Sequence, residues 1–305
     1  MPRESAARRR GLLFVLGATV LWSLAGYFAR LLAHLDLGTV LFGRAGFGAL
    51  CIATWAVLEH RRGVLGARFG FGPLSPLIVL LSATAISTYI AAVMTTTVAD
   101  VLVIYATMPF VAAGLSYVIN KERASRRTLI AASVATIGVV IMVASGLGSG
   151  RLLGQALSML MTATFALMVV LQRRDPSMSM TSINAAAAAL ASAFGYALSA
   201  HPALGGRDLA ILFVFGLTTV CVAFVMFMEG AKFLPSAEAG LVSMLDVALG
   251  PLWVFLAFGE NPGPATLVGG AFVIGAVIWR VIPEMTGSPP AQPAPSASTS
   301  ASWPL

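Results

Sequence analysis

The amino-acid sequence predicts an all-α polytopic membrane protein with ten transmembrane helices in two inverted five-helix repeats. Three observations support this fold class: an apolar composition, a series of long apolar runs, and a similarity between the two halves of the chain. Of the 305 residues, 58% are hydrophobic and only 10% are charged, and the mean hydropathy is +0.89. Soluble domains carry about 25% charged residues, so this chain lacks the polar residues that cover a surface in water. In lipid, backbone polar groups must pair within the protein, as they do in helices.

Ten apolar segments follow one another along the chain. A helix needs about 20 apolar residues to cross a bilayer, whereas barrel strands are alternating segments of about ten residues. Charged residues or clusters of Pro, Gly and Ser separate most of the runs. The third and fourth are separated only by Thr95–Thr97, so the count of ten depends on dividing the chain there. The expected spans are roughly 11–33, 38–58, 74–94, 97–119, 127–146, 152–172, 179–200, 208–231, 236–258 and 264–282.

The two ends of the chain are expected to lie outside the spans. Residues 1–10 are basic and resemble the start of a signal peptide, but the apolar run behind them is too long and lacks a convincing cleavage site. We therefore keep that run as the first span. Residues 286–305 are rich in Pro, Ser and Ala without periodicity, so they are expected to form a disordered cytoplasmic tail.

Lys and Arg are distributed unevenly between alternate loops. Arg30, Arg151 and Arg207 occupy one set of loops, Arg44 lies within a span, and the other 15 of the 19 Lys and Arg residues occupy the opposite set. Cytoplasmic loops carry the excess of Lys and Arg, so both termini are expected to be cytoplasmic. Attraction of these loops to anionic lipid accounts for the net charge of +7, and no nucleic-acid partner is expected.

The first half of the chain (residues 11–146) aligns with the second half (residues 152–282). GLLFVLGATVLWSLAGYFAR matches GQALSMLMTATFALMVVLQR, and VADVLVIYATMPFVAAGLSYVINKE matches SAEAGLVSMLDVALGPLWVFLAFGE. The second alignment pairs Glu122 with Glu260. Because five spans is an odd number, the two halves have opposite orientations. Inverted repeats are typical of secondary transporters, which bind substrate near the midplane where the halves meet.

The motifs of both repeats resemble those of the EamA-type transporters of the drug/metabolite transporter superfamily. The resemblance is carried by Trp22-Ser23, by MPFVAAGLSYVINKE, and by LVSMLDVALGPLWVFLAFGENP. It implies a central cavity formed mainly by spans 1, 3, 4, 6, 8 and 9. Many members export metabolites, and the chain is most similar to bacterial inner-membrane exporters of neutral and aromatic amino acids. Two departures are that Asn120–Glu122 replaces the usual Gly-Glu and that the Pro expected at Val247 is displaced to Pro251.

Asp246 is an ionisable side chain within the ninth span. Counted from Ser236 at about 1.5 Å per residue, it lies about 15 Å deep in a core about 30 Å thick. A central Asp costs about 2.5–3.5 kcal/mol on insertion scales, so Asp246 is expected to face protein or water. Binding of a substrate amine and coupling to protons are the functional interpretations; a structural hydrogen bond is the alternative. Pro251 and Pro109 each lack a backbone donor, which predicts bends in the ninth and fourth spans.

Other charged side chains lie in spans or at their ends. Glu229 shares a helix face with a lysine three residues further on, which favours a local ion pair, although Glu229 is also a candidate for proton coupling. Arg44 is expected to pair with Asp100, and binding of a substrate carboxylate is the alternative. Glu122 and Glu260, at helix ends, are expected to be structural or gating residues.

Neutral polar and aromatic side chains accompany Asp246 in the spans assigned to the cavity. Aromatic rings beside hydroxyl groups suit a small zwitterion with an apolar side chain. Helix packing or anchoring at the membrane interface explains each of these residues equally well when it is taken alone. Together with Asp246, the expected substrate-binding residues are Trp22, Ser23, Tyr27, Thr84, Thr88, Tyr105, Thr162, Phe165 and Ser243.

Missing motifs argue against other classes of protein. Neither lysine, Lys121 or Lys232, follows Gly, so there is no Walker A motif and no ATPase subunit is expected as a partner. The sequence has no H-E-x-x-H motif, and no enzyme activity, metal or cofactor is expected. The prediction is a secondary transporter that exports amino acids such as Thr, Met or Phe, or similar small metabolites, by uniport or proton coupling. Export of other metabolites or drugs is one alternative, and a membrane enzyme acting on a lipid is another.

Overall fold

The computed structural model describes residues 2–61, 72–121, 126–146, 150–172, 179–234, 242–243 and 245–286, and the regular secondary structure in these ranges is entirely helical. Two predictions lie outside the described residues: disorder of the tail after residue 286, and a structural or gating role for Glu122. In chain order, the helices are α1 (Pro2–Ser23), α2 (Ala25–Leu31), α3 (Leu37–Arg61), α4 (Ser75–Thr95), α5 (Val98–Tyr105), α6 (Met108–Asn120), α7 (Arg126–Gly146), α8 (Leu152–Gln172), α9 (Met180–Leu198), α10 (Gly206–Gly216), a π-helical turn (Leu217–Val222), α11 (Ala223–Ala231), α12 (Leu245–Phe258) and α13 (Pro264–Thr286).

Within the described ranges, seven helical segments are long and apolar enough to cross a membrane. They are Arg9–Leu31, Leu37–Leu58, Ser75–Thr95, Val98–Ile119, Leu152–Gln172, Met180–Leu198 and Gly206–Ala231. Shorter apolar helices cover Leu129–Ser145, Leu245–Phe258 and Pro264–Ala276, where the fifth, ninth and tenth spans are expected. The all-helical membrane fold is therefore confirmed, while the count of ten spans and the opposite orientation of the halves remain predictions.

Helices from the two halves of the chain pack against each other in pairs. α3 packs along α9, α4 along α8, and α7 along α13, while α1 lies against α11 and α12. Small residues permit some of these close approaches. A Cβ added to Gly216 at the end of α10 would lie 2.4 Å from the carbonyl oxygen of Arg44 and 2.8 Å from the amide of Gly48 in α3. The core is thus shared between the halves.

Three of the long segments are interrupted near their middle. α1 and α2 are separated by Leu24, and the π-helical turn separates α10 from α11. α5 ends at Tyr105 and α6 begins at Met108, with Pro109 in its first turn. Proline has no N–H and is tolerated in the first turn of a helix, where that group has no helical partner. Pro251, in contrast, lies inside α12. Interruptions of this kind are frequent at functional sites.

Candidate functional site

A cavity of about 550 Å³ lies between helices of the two halves. This volume lies within the range that binds small molecules. The interruptions border the cavity, since Ala25, Ala106 and Val220 contribute to its wall. Most of the wall is apolar, with aromatic and methionine side chains. Its polar or charged members are Trp22, Arg44, Ser82, Tyr89, Tyr105, Gln172, Asn184, Thr219, Ser243 and Asp246.

Five of the ten residues that the sequence suggests for substrate binding line this cavity: Trp22, Tyr105, Phe165, Ser243 and Asp246. The rings of Tyr105 and Phe165 are in edge contact, with their centroids 5.9 Å apart. Trp22 is fixed by a 3.0 Å hydrogen bond from its Nε1 to the carbonyl oxygen of Thr219. Asp246 lies in the first turn of α12 and is partly exposed to the cavity. These residues bring a carboxylate and aromatic rings to one wall.

The other five suggested residues do not appear in the cavity wall and have partners of their own. Ser23 donates to the carbonyl oxygen of Val20 and accepts a 2.9 Å hydrogen bond from Nε1 of Trp253. The ring of Tyr27 packs against two phenylalanine rings. Three hydroxyl groups donate to carbonyl oxygens one turn earlier in their own helices, which satisfies them without a substrate; they belong to Thr84, Thr88 and Thr162.

The cavity-facing side of α4 follows a helical period that the sequence analysis missed. Ser82, Ala85, Ile86 and Tyr89 all line the cavity, at the spacing i, i+3, i+4 and i+7 that marks one side of a helix. Thr84 and Thr88 fall on a different side, so their hydroxyl groups are a misleading signal. The recurrence of Ser82 and Tyr89 seven residues apart is the signal that could have identified the correct side.

The predicted pairing of Arg44 with Asp100 is wrong. Asp100 is completely buried and accepts hydrogen bonds from Thr266 (2.6 Å), Thr96 (3.0 Å), Arg151 (3.3 Å) and Gln155 (3.3 Å). We call this set the Asp100 network. Thr97 caps the start of α5 and accepts the backbone N–H of Asp100 at 3.1 Å, which fixes the position of the carboxylate. Because Arg151 and the hydroxyl groups satisfy Asp100 locally, Arg44 has no role there.

Arg44 instead lies about two turns after the start of α3 and contributes to the cavity wall. Its guanidinium carbon is 4.8 Å from the centroid of the Phe215 ring and 5.8 Å from that of Tyr89, distances at which cations are attracted to aromatic faces. The residue is only 7% exposed, and its Nε and Nη1 atoms have no hydrogen-bond partner among the described residues. The wall therefore contains a cation with unused donors.

Other pairs of ionisable side chains lie away from the cavity wall. Glu229 pairs with Lys232, and both side chains are more than a third exposed and do not appear in the cavity wall. His34 pairs with Asp208 at 3.3 Å. Neither pair contributes to the wall in the part of the chain that the structure describes. In the same ranges, no group of three or more His, Cys, Asp or Glu residues is arranged to hold a metal ion.

A second network joins helix ends near the Asp100 network. Arg30, in the last turn of α2, donates from Nε to Oε2 of Glu260 at 2.6 Å and from Nη1 and Nη2 to the carbonyl oxygens of Val93 and Thr96. Oε1 of Glu260 accepts the backbone N–H of Val98 at 3.1 Å. Gly259 adopts a left-handed conformation (φ 66°) and ends α12 immediately before Glu260. We call these contacts the Arg30 network.

The two networks lie at one end of the helices and the cavity extends to the other. Gln155, in the first turn of α8, belongs to the Asp100 network, whereas Gln172 at the last position of α8 lines the cavity. Their separation of 17 positions corresponds to about 25 Å of helix at about 1.5 Å per residue. Charged contacts therefore join the helices at the end of the bundle that is remote from this part of the cavity.

Comparison with known proteins identifies the family of this chain and a solved structure with a similar fold. Residues 9–144 and 148–282 each match the model of the EamA-like transporter family, so the two matches together cover nearly the whole chain. A solved crystal structure of a protein is similar in fold, with a TM-score of 0.63 and 17% identity over 90% of this chain and 98% of that one. None of the curated proteins matches this chain. On the strength of the two family matches, the protein belongs to the EamA-like transporter family.

Proposed function

We propose that the protein is a secondary transporter that exports amino acids, or similar small metabolites, by alternating access. The carrying observation is the cavity between the two halves of the chain, whose wall combines Asp246 with aromatic rings. A substrate amine would bind Asp246, and its apolar side chain would lie against Tyr105 and Phe165. A carboxylate in a membrane protein must be matched by a partner, and a protonated amine supplies one. The same carboxylate is the first candidate for proton coupling, and Glu229 is the second.

The proposal includes ten spans in two inverted repeats, residues 11–146 and 152–282, with both termini in the cytoplasm of a bacterium and the protein in its inner membrane. Two family matches of nearly equal length support the repeats. The helix pairing supports the repeats as well. α1 and α8 belong to the first span of each repeat, and α4 and α11 belong to the third. α1 packs on α11 and α8 packs on α4, so the first span of each repeat packs on the third span of the other. The lipid bilayer and a small-molecule substrate are the expected partners.

Alternating access requires that the cavity be closed at one end and opened at the other. In the proposed orientation, the Arg30 and Asp100 networks lie at the outer end and the cavity extends toward the cytoplasm. A helix that is already interrupted can bend at the break, because the backbone rotates there without breaking the hydrogen bonds of the helical segments on either side. The breaks at Leu24 and between Tyr105 and Met108, with Pro109 beyond, are thus proposed as the positions where the helices bend, together with Pro251 in α12.

Export of apolar cations is a second candidate function. Five methionines of the described ranges line the cavity: Met108, Met161, Met168, Met180 and Met228. Methionine is flexible and polarisable, and it is common at surfaces that accept ligands of several shapes. A drug-like amine would find these side chains beside Asp246. The two candidates differ in whether the substrate needs a carboxylate.

Uptake of labelled Phe, Met and Thr into proteoliposomes tests the proposal, measured with and without an imposed pH gradient for the wild type and Asp246→Asn. Uptake that the gradient drives and that the variant loses would support proton coupling through Asp246. Uptake that ignores the gradient would support a uniporter. If the wild type takes up none of the three amino acids, amino-acid transport is refuted, and the same assay with apolar amines tests the second candidate.

A further inference from the structure

We propose that Arg44 binds the carboxylate of the transported molecule, so that the substrates of this cavity carry a free carboxylate next to an apolar group. The inference rests on the proposed function, since it assigns a second substrate-binding residue to the same cavity and favours carboxylates over simple amines, which would bind through Asp246 alone. It starts from the buried guanidinium group, which lines the cavity and whose Nε and Nη1 lack partners among the described residues.

The acids whose contacts the structure describes do not pair with Arg44, and Asp36 accepts its hydrogen bonds from Thr39. Asp100 pairs with Arg151, Glu260 with Arg30, Asp208 with His34, and Glu229 with Lys232. Asp246 shares the cavity wall with Arg44, but the ion pairs between described residues do not include a pair of these two. A buried charge without a partner is strongly unfavourable, and the attraction of aromatic rings offsets only part of that cost. An anion that enters the cavity would neutralise the positive charge of the Arg44 guanidinium group.

A carboxylate fits this position better than a phosphate group. The guanidinium group presents its donors as a planar fork that matches the two oxygens of a carboxylate. A phosphate dianion would need additional cations, and Arg44 is the one Lys or Arg that the described residues contribute to the cavity wall. Asp246, in the same wall, would repel a second negative charge on the ligand. A monoanion or a zwitterion is therefore the matching class.

The environment of Arg44 also predicts what lies beside the carboxylate. Phe215 and Tyr89 approach the guanidinium group, and most of the remaining wall is apolar. The apolar part of a ligand whose carboxylate is bound at Arg44 would lie against this wall, excluding water from the ion pair. Removing water strengthens the electrostatic attraction between the two charges. Substrates with a short or wholly polar side chain would lose this contribution.

Three ligands that share a phenyl group test the assignment: phenylalanine, 3-phenylpropanoate, which lacks the amine, and phenethylamine, which lacks the carboxylate. Their binding to the purified full-length protein would be measured by the fluorescence of Trp22, which lines the cavity, with a Trp22→Phe variant to identify its signal. A charge-assisted hydrogen bond contributes roughly ten- to hundredfold in affinity. We therefore expect Arg44→Gln to weaken binding of both carboxylates by at least about tenfold and to leave phenethylamine within about threefold of wild type.

Arg44→Lys keeps the charge but not the fork, and it serves if Arg44→Gln does not fold. It should bind the carboxylates with an affinity between those of wild type and Arg44→Gln. The proposal is overturned if both variants bind all three ligands as the wild type does, or if the wild type fails to bind either carboxylate at millimolar concentration. Transport separates the two hypotheses. Equal uptake of phenylalanine by wild type and Arg44→Gln refutes the role of Arg44 alone. Carboxylate binding without uptake of any amino acid refutes the proposed function alone.

Discussion

Replacing Glu260 with Gln should favour opening of the end of the bundle that the Arg30 network is proposed to close. The substitution keeps the shape of the side chain and an oxygen that can accept the backbone N–H of Val98. It removes the negative charge that Arg30 meets at 2.6 Å. If the network forms only while this end is closed, its weakening must favour the open arrangement.

The structure sets the size of the effect. The side chains of Arg30 and Glu260 are 19% and 23% exposed, so the pair is neither a surface pair nor a fully buried one. Removing one partner of a buried pair costs about 3–5 kcal/mol, whereas an exposed pair contributes about 0–1 kcal/mol. An intermediate value of about 2 kcal/mol corresponds to a roughly 30-fold change in the ratio of open to closed molecules, at about 1.4 kcal/mol per tenfold.

Thiol labelling from outside reports this ratio. Cys51 and Cys221 would be replaced by Ser, and Leu102, a cavity-wall residue two positions beyond Asp100, would be replaced by Cys. A membrane-impermeant maleimide added outside should label this cysteine slowly in the parent protein. In the Glu260→Gln variant, labelling should become faster by up to about 30-fold, as the population shift requires.

The matched control is Asp208→Asn, which removes the carboxylate that lies 3.3 Å from Nε2 of His34. The His34 side chain is 56% exposed, so loss of this pair should change the labelling rate little. A labelling rate in Glu260→Gln within about threefold of the parent would refute the reasoning, because about threefold is less than 1 kcal/mol. An equal acceleration by Asp208→Asn would refute it as well, since the effect would then not depend on the Arg30 network.

Two further substitutions test the packing and the cavity wall. Gly216→Ala should lower stability by about 1–3 kcal/mol and reduce the Tm, because the new methyl would lie 2.4 Å from the carbonyl oxygen of Arg44, whereas Gly114→Ala, which meets no atom within 4 Å, should not lower it. Phe165→Ala should weaken binding of phenylalanine by roughly tenfold, because the ligand loses contact with a ring of the cavity wall. Thr162→Val should change this binding by less than about threefold, because the Thr162 hydroxyl group donates its hydrogen bond to a carbonyl oxygen of its own helix. Thermal unfolding and ligand fluorescence would measure these changes; similar results within either pair would contradict the structure.

The fold class is accessible from the sequence because composition and segment length are properties of the chain itself. The inward side of each helix is much harder to predict. Leu13, Leu50 and Leu153 are all more than 60% exposed on the outside of the bundle, where lipid is the expected contact. Since both the lipid side and the core are apolar, hydrophobic periodicity does not distinguish them. Polar residues were therefore the available guide, and Thr84 and Thr88 show how a helix satisfies hydroxyl groups on its own.

The error at Arg44 has a similar origin. Opposite charges predict that Arg44 and Asp100 attract each other, but the sequence does not contain the distance between them. Asp100 finds Arg151 at the junction of the two halves and Thr266 in the last helix, contacts that arise only when the halves pack together. Asp246, in contrast, lines the cavity as the sequence predicts, because an acid within an apolar span must face protein or water.

The most direct test of alternating access is counterflow with the purified protein in proteoliposomes at equal pH on both sides. Vesicles loaded with unlabelled phenylalanine would be diluted into a trace of labelled phenylalanine, with no ATP present. Alternating access predicts a transient accumulation of label above its outside concentration, because a carrier that returns with bound substrate exchanges one molecule for another. Empty vesicles and vesicles containing Asp246→Asn provide the comparison. Equilibration of the label in vesicles containing the wild type without any transient accumulation would contradict an alternating-access transporter for this substrate.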